Sequence, residues 1–147
     1  MKTALAPTPN ILLVDDNHDG LLVRRSLLEE LGYRVQIATN GEDALTLFET
    51  HPFEVVVSDY RMPRMNGVEL IHRLRVLNPN VRVVLLSGFV EALGLNEDNT
   101  GADIVLVKSA REPVQLVRSV KRLVNSRPPR KPVVSQRSRR RAGAAVR

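Results

Sequence analysis

Four short apolar runs punctuate this chain: ILLV at 11–14, VVV at 55–57, VRVVLL at 81–86 and IVLV at 104–107. Stretches of helical periodicity separate them. A strand covered on both faces needs a nearly continuous apolar run, whereas a strand with one wet face alternates. RVQIA at 34–38 does alternate, which suits a place nearer a sheet edge. Between the runs, Val23, Leu27 and Leu31 recur at helical spacing, with Gly32 as a C-terminal stop. Asn40 can cap a helix carrying Ala44, Leu45 and Phe48. Leu70, Ile71, Leu74 and Leu77 form another stripe, ended by Asn78 and Pro79. The last stripe is Leu116, Val117, Val120, Leu123 and Val124, with Pro113 in a tolerated first-turn position. Residues 90–100 carry Gly94 and two Asn and predict only a short or frayed helix.

Five strand–helix pairs predict an α/β fold: a doubly wound, five-stranded parallel sheet with helices on both faces. Ligands of such sheets bind beyond the carboxyl ends of the strands, where the strand order reverses. Asp15 and Asp16 follow the first run, Asp59 the third, Ser87 the fourth and Lys108 the fifth. No strong polar group follows the second. Three carboxylates at one rim repel one another unless a cation sits among them. Oxygen donors without His or Cys suit Mg²⁺, which binds through one or two carboxylates, waters and phosphate oxygens. A lysine there can hold a phosphoryl oxygen, a serine can donate to another, and an aspartate can become the covalent acceptor.

The 147 residues suit one domain with a tail. The formal charge of +6 misleads: eight of the 22 Lys and Arg, and none of the 16 acids, lie in 127–147, so residues 1–126 carry −2. A basic fold for nucleic acid is therefore not indicated. With no Cys there is no disulfide framework and no thiolate metal site. The start, MKTALAPTPN, lacks the apolar stretch of a signal peptide, and no run approaches transmembrane length. A cytoplasmic location is expected. His18, His51 and His72 have no metal-ligand spacing and are expected on the surface.

Asp15-Asp16, SDYRMPRMNG at 58–67, LLSG at 85–88 and LVK at 106–108 together resemble the receiver (CheY-like) domain of two-component response regulators. The resemblance spans about residues 10–126, with 1–9 as a lead and 127–147 as a basic tail expected to be disordered. It implies a flavodoxin-like strand order 2-1-3-4-5. It also implies roles. Asp59 would be the phosphoacceptor, with Ser87 as the switch hydroxyl and Lys108 as its cationic partner. Asp15, Asp16, Asp59 and the backbone carbonyl of Arg61 would hold Mg²⁺. Met62, Pro63, Met65 and Gly67 would shape the loop, Gly67 through a tight turn. The implied partners are a histidine kinase or phosphotransfer protein and an output protein. The implied activity is self-phosphorylation and self-dephosphorylation rather than turnover of a substrate.

The chain departs from the family pattern in places. The aromatic usual three residues before the lysine is Val105, and the usual proline after it is Ser109. With the poor helix at 90–100, these changes share one face, which receivers commonly use for output. The main reading is a single-domain response regulator. Its rivals are a pseudo-receiver that binds without phosphorylation and a regulator touching nucleic acid through 127–147. A haloacid-dehalogenase-like phosphatase would need a second aspartate where Arg61 stands.

Overall fold

The computed structural model describes residues 7–126. The expected tail at 127–147, with its possible nucleic-acid contact, and the first six residues of the lead lie outside them. The elements run β1 (Asn10–Val14), α1 (His18–Glu30), β2 (Arg34–Ala38), α2 (Gly41–Thr50), β3 (Val55–Asp59), α3 (Gly67–Leu77), β4 (Arg82–Ser87), α4 (Val90–Leu93), α5 (Glu97–Thr100), β5 (Ile104–Val107) and α6 (Glu112–Asn125). The strands form one sheet in the order β2-β1-β3-β4-β5. Every neighbouring pair is parallel. This is the flavodoxin-like order, and RVQIA occupies an edge as its alternation suggested.

Because side chains alternate across a strand, each strand supplies both faces of the sheet. Leu12, Val14, Val56, Val83 and Leu85 point into a core closed by Ala44 and Phe48 of α2 and Leu70, Ile71 and Leu74 of α3. Ile11, Leu13, Val55, Val57, Val84 and Leu86 point into the other, closed by Leu21 and Leu28 of α1 and Leu116, Val120 and Leu123 of α6. Caps fix where the helices begin. Asn40 Oδ1 accepts from the Asp43 N–H at 2.7 Å. At α3, Asn66 and Glu69 form a reciprocal capping box.

Three expectations need correction. The first helix forms, but its buried stripe is Leu21, Arg24 and Leu28 rather than Val23, Leu27 and Leu31. Val23 is 59% exposed and Leu31 40%. The inward face is rotated because Arg24 reaches ionic partners inside. The stripe on α3 also stops early, since Leu77 is 46% exposed. Finally, Asp59 and Ser87 are the last residues of β3 and β4 rather than the first residues after them. Hydrogen bonding to a neighbour strand therefore fixes their backbone.

The weak stretch after β4 folds as two separate single turns, α4 and α5, joined through Gly94 in the left-handed region (φ 65°).

Candidate acidic site at the strand ends

The order reverses between β1 and β3: β2 lies on one side of β1, and β3, β4 and β5 follow on the other. The acids stand there. Asp15 directly follows β1 and is 2% exposed, Asp59 ends β3 at 6%, and Asp16 is open to solvent. One carboxylate oxygen from each of Asp15, Asp16 and Asp59 lies within 4.8 Å of the others. Lys108, the first residue after β5, closes the cluster. Its Nζ is 2.9 Å from Asp59 Oδ1 and donates to Asp15 Oδ2 at 3.1 Å. The rim predicted from the strand ends is thus assembled from residues up to 93 positions apart.

Ser87 is registered opposite Val107, one position beyond Leu86, which pairs with Asp59. Its Oγ accepts from the Phe89 N–H at 3.0 Å, and its carbonyl accepts from the Lys108 N–H at 2.9 Å. Arg61 lies two residues past Asp59. Its guanidinium stacks over the Phe89 ring, 4.5 Å from the centroid, and so bridges the loops after β3 and β4. Met62 and Met65 are buried, packing the loop as expected. Gly67 answers to crowding instead of a turn: an added Cβ would stand 2.6 Å from the Asp59 carbonyl oxygen and 2.6 Å from Leu85 Cδ1. His18, His51 and His72 are all exposed.

Two site residues escaped the sequence reading. Arg24 and Glu112 are buried, at 9% and 6% exposure. Arg24 Nη1 donates to Asp15 Oδ2 at 3.0 Å. Its Nε and Nη2 fork onto Glu112, at 3.3 and 3.0 Å. The available signal was a charge at a core position of each helix, since Glu112 precedes Leu116 and Val120 on the buried face of α6.

The electrostatics follow from this count. Four acids (Asp15, Asp16, Asp59 and Glu112) face two bases, Lys108 and Arg24. Burial, together with the nearby Asp15 and Asp16, holds the Asp59 carboxyl above its ordinary pKa despite Lys108. Burial opposes the charge on Lys108, but Asp59 and Asp15 outweigh it and its pKa is raised. Arg24 is raised in the same way, Glu112 and Asp15 overcoming burial. Burial leads at Asp59 and the acidic neighbours prevail at Lys108 and Arg24, and in all three the surrounding carboxylates push the pKa up. An all-oxygen donor set with a deficit of two charges fits one hard divalent cation such as Mg²⁺.

Val105 and Ser109 stand as the sequence placed them. Val105 is half-buried against the α2/α3 core, and its N–H donates to Glu97 Oε2 of α5 at 2.9 Å. Glu97 thereby satisfies a backbone donor on an edge strand. Phe89, Leu93 and Val107 are exposed nearby. Among the described residues no helix is long and apolar enough to cross a membrane.

Comparison with known proteins gives consistent matches. A family model for the response regulator receiver domain matches residues 11–121. The virulence sensor protein BvgS of Bordetella bronchiseptica is 46% identical over 65 residues, which is 44% of this chain and 5% of that protein. The chain therefore spans only a small part of that relative. The response regulator receiver protein CpdR of Brucella abortus is 34% identical over 89 residues, covering 60% of this chain and 73% of CpdR. Among solved structures, response regulator TrrA of Thermotoga maritima, in complex with Mg²⁺ and BeF, superposes with a TM-score of 0.71 at 29% identity. That match covers 79% of this chain and 99% of TrrA.

Proposed function

The chain belongs to the response regulator receiver domain family of two-component signalling, and from that premise we propose that it accepts a phosphoryl group on Asp59 from a histidine kinase or phosphotransfer protein. The observation that carries the reading is the cluster itself: Asp15, Asp16 and Asp59 within 4.8 Å, with Lys108 2.9 Å from Asp59. An Asp59 oxygen attacks phosphorus, the P–N bond to the donor imidazole breaks, and an acyl phosphate forms. The nucleophile must be ionised. Lys108 favours that state against the burial that opposes it.

Asp15, Asp16, Asp59 and the Arg61 backbone carbonyl would hold Mg²⁺. When bound, Mg²⁺ would offset charge on the transferring group. Lys108 would hold a phosphoryl oxygen, and the Ser87 hydroxyl would donate to another. Phosphorylation would then shift a two-state equilibrium that a protein partner reads. The reaction consumes no substrate beyond the phosphodonor, and the domain would act in the cytoplasm as a signalling module.

The test is intact mass after incubation with acetyl phosphate and Mg²⁺. One added phosphoryl group is expected, absent in Asp59→Asn and with the metal chelated. No addition under conditions that label an active receiver would sink the reading. A second reading, binding without phosphorylation, draws on Val105 and Ser109, which lack the family's aromatic and proline. A failure to label would favour it.

A further inference from the structure

The proposed acceptor chemistry leaves the Arg24–Glu112 pair without a task. Burying such a pair is costly, because desolvation consumes much of the attraction. Its placement is informative. Asp15 lies where β1 meets α1, and Glu112 lies in the first turn of α6, 88 residues from Arg24. Arg24 spans both, using one nitrogen for Asp15 and two for Glu112. Both oxygens of Asp15 are engaged: Oδ2 receives Arg24 and Lys108, and Oδ1 accepts from the Asn17 N–H at 2.9 Å. A cation arriving beside Asp15 must share that carboxylate with Arg24.

We propose that Arg24 is a positioning residue that holds Asp15 and acts as a built-in competitor of the metal, with Glu112 setting the strength of its pull and linking the rim to α6. The metal part of this inference rests on the cation reading of the acidic rim; the link between Asp15 and α6 does not. If Glu112 is neutralised, Arg24 keeps its full charge for Asp15 and metal binding weakens. If both members are made neutral, the nearer positive charge is lost from the carboxylate and metal binding tightens. A pair that served only packing would not produce changes of opposite sign.

The experiment uses the full chain and two variants, Glu112→Gln and the double Arg24→Gln/Glu112→Gln. The double variant avoids leaving a buried acid without its partner. Mg²⁺ is titrated into each, with backbone amide shifts in ¹⁵N-resolved NMR as the readout. Glu112→Gln is expected to raise the Kd roughly threefold, and the double variant to lower it by about the same factor. Equal affinities, or shifts of the same sign, would overturn the competitor role. The link is read in metal-free protein. Asp15→Asn is expected to move the backbone amides at positions 112 and 115 when Arg24 and Glu112 are present and to leave them in place in the Arg24→Gln/Glu112→Gln background. No movement in either background overturns the link. If wild type binds no Mg²⁺, the cation reading and the competitor role fail together, while the amide shifts still decide the link.

Discussion

Gly67 touches Asp59 so closely that a single added carbon has nowhere to go: its ideal position is 2.6 Å from the Asp59 carbonyl oxygen. The first residue of α3 thus packs directly on the residue that ends β3. Close approach of these two backbones holds the proposed nucleophile at a fixed height on the rim.

Gly67→Ala is therefore expected to destabilise the fold by roughly 1–3 kcal/mol, as overpacking in a filled site does. It should also lower the rate of labelling from acetyl phosphate. Gly88→Ala is the control, since nothing lies within 4 Å of a Cβ there. Urea denaturation and labelling rates of the two variants provide the check. Equal effects would show that crowding at Gly67 is not what positions Asp59.

Asp59 is the acid whose charge the metal-free fold disfavours. With its folded pKa raised, the folded state binds more protons than the unfolded state between the ordinary and the raised value. Ionised Asp59 thus costs stability in full above the raised value, and the cost vanishes as pH falls below the ordinary one. Asp59→Asn should raise the Tm of the chelated protein at neutral pH by about 2–6 °C. The gain should fade as pH drops toward about 4. Calorimetry in chelator across that range tests this, and a gain that grew on acidification would contradict it.

Lys108 has the opposite sign. Its folded pKa is raised, so its contribution is fully present below the ordinary lysine value and is lost as pH climbs through the folded one. Lys108→Gln should be less stable than wild type at neutral pH. The difference should narrow once pH passes about 10.5. Chemical denaturation at neutral and strongly alkaline pH measures that difference.

The Arg61–Phe89 stack joins the loops after β3 and β4. Phe89→Ala removes a contact worth about 0.5–1 kcal/mol at such a half-exposed position. Water should then reach an acyl phosphate on Asp59 more readily, shortening its lifetime roughly twofold to fivefold on the same energy scale. Decay of the labelled mass in both proteins provides the measurement, and an unchanged lifetime would remove the stack from the account.

How far the sequence revealed this arrangement depended on how local its signals were. ILLV and VVV announced strands covered on both faces, and RVQIA announced an edge, because burial dictates composition residue by residue. The acidic rim followed at once, since a parallel sheet brings its strand ends to one side, and Asp15, Asp16, Asp59 and Lys108 do meet there. Arg24 stayed hidden for a different reason. Periodicity scored Val23, Leu27 and Leu31 as the inward face because arginine counts as an outward residue. Its burial is offset by Glu112 on another helix and by Asp15, a compensation that no window along the chain contains. Gly67 was noticed, but its cause was a backbone contact in three dimensions rather than a turn.

The central claim is that Asp59, and neither Asp15 nor Asp16, carries the phosphoryl group. Borohydride reduction of the phosphorylated chain marks an acyl phosphate by converting the aspartate that bears it to homoserine, and peptide mass sequencing then locates the mark. The account predicts homoserine at position 59 alone, dependent on Mg²⁺ during labelling. A mark at 15 or 16, or no mark in protein that has gained phosphoryl mass, would contradict it.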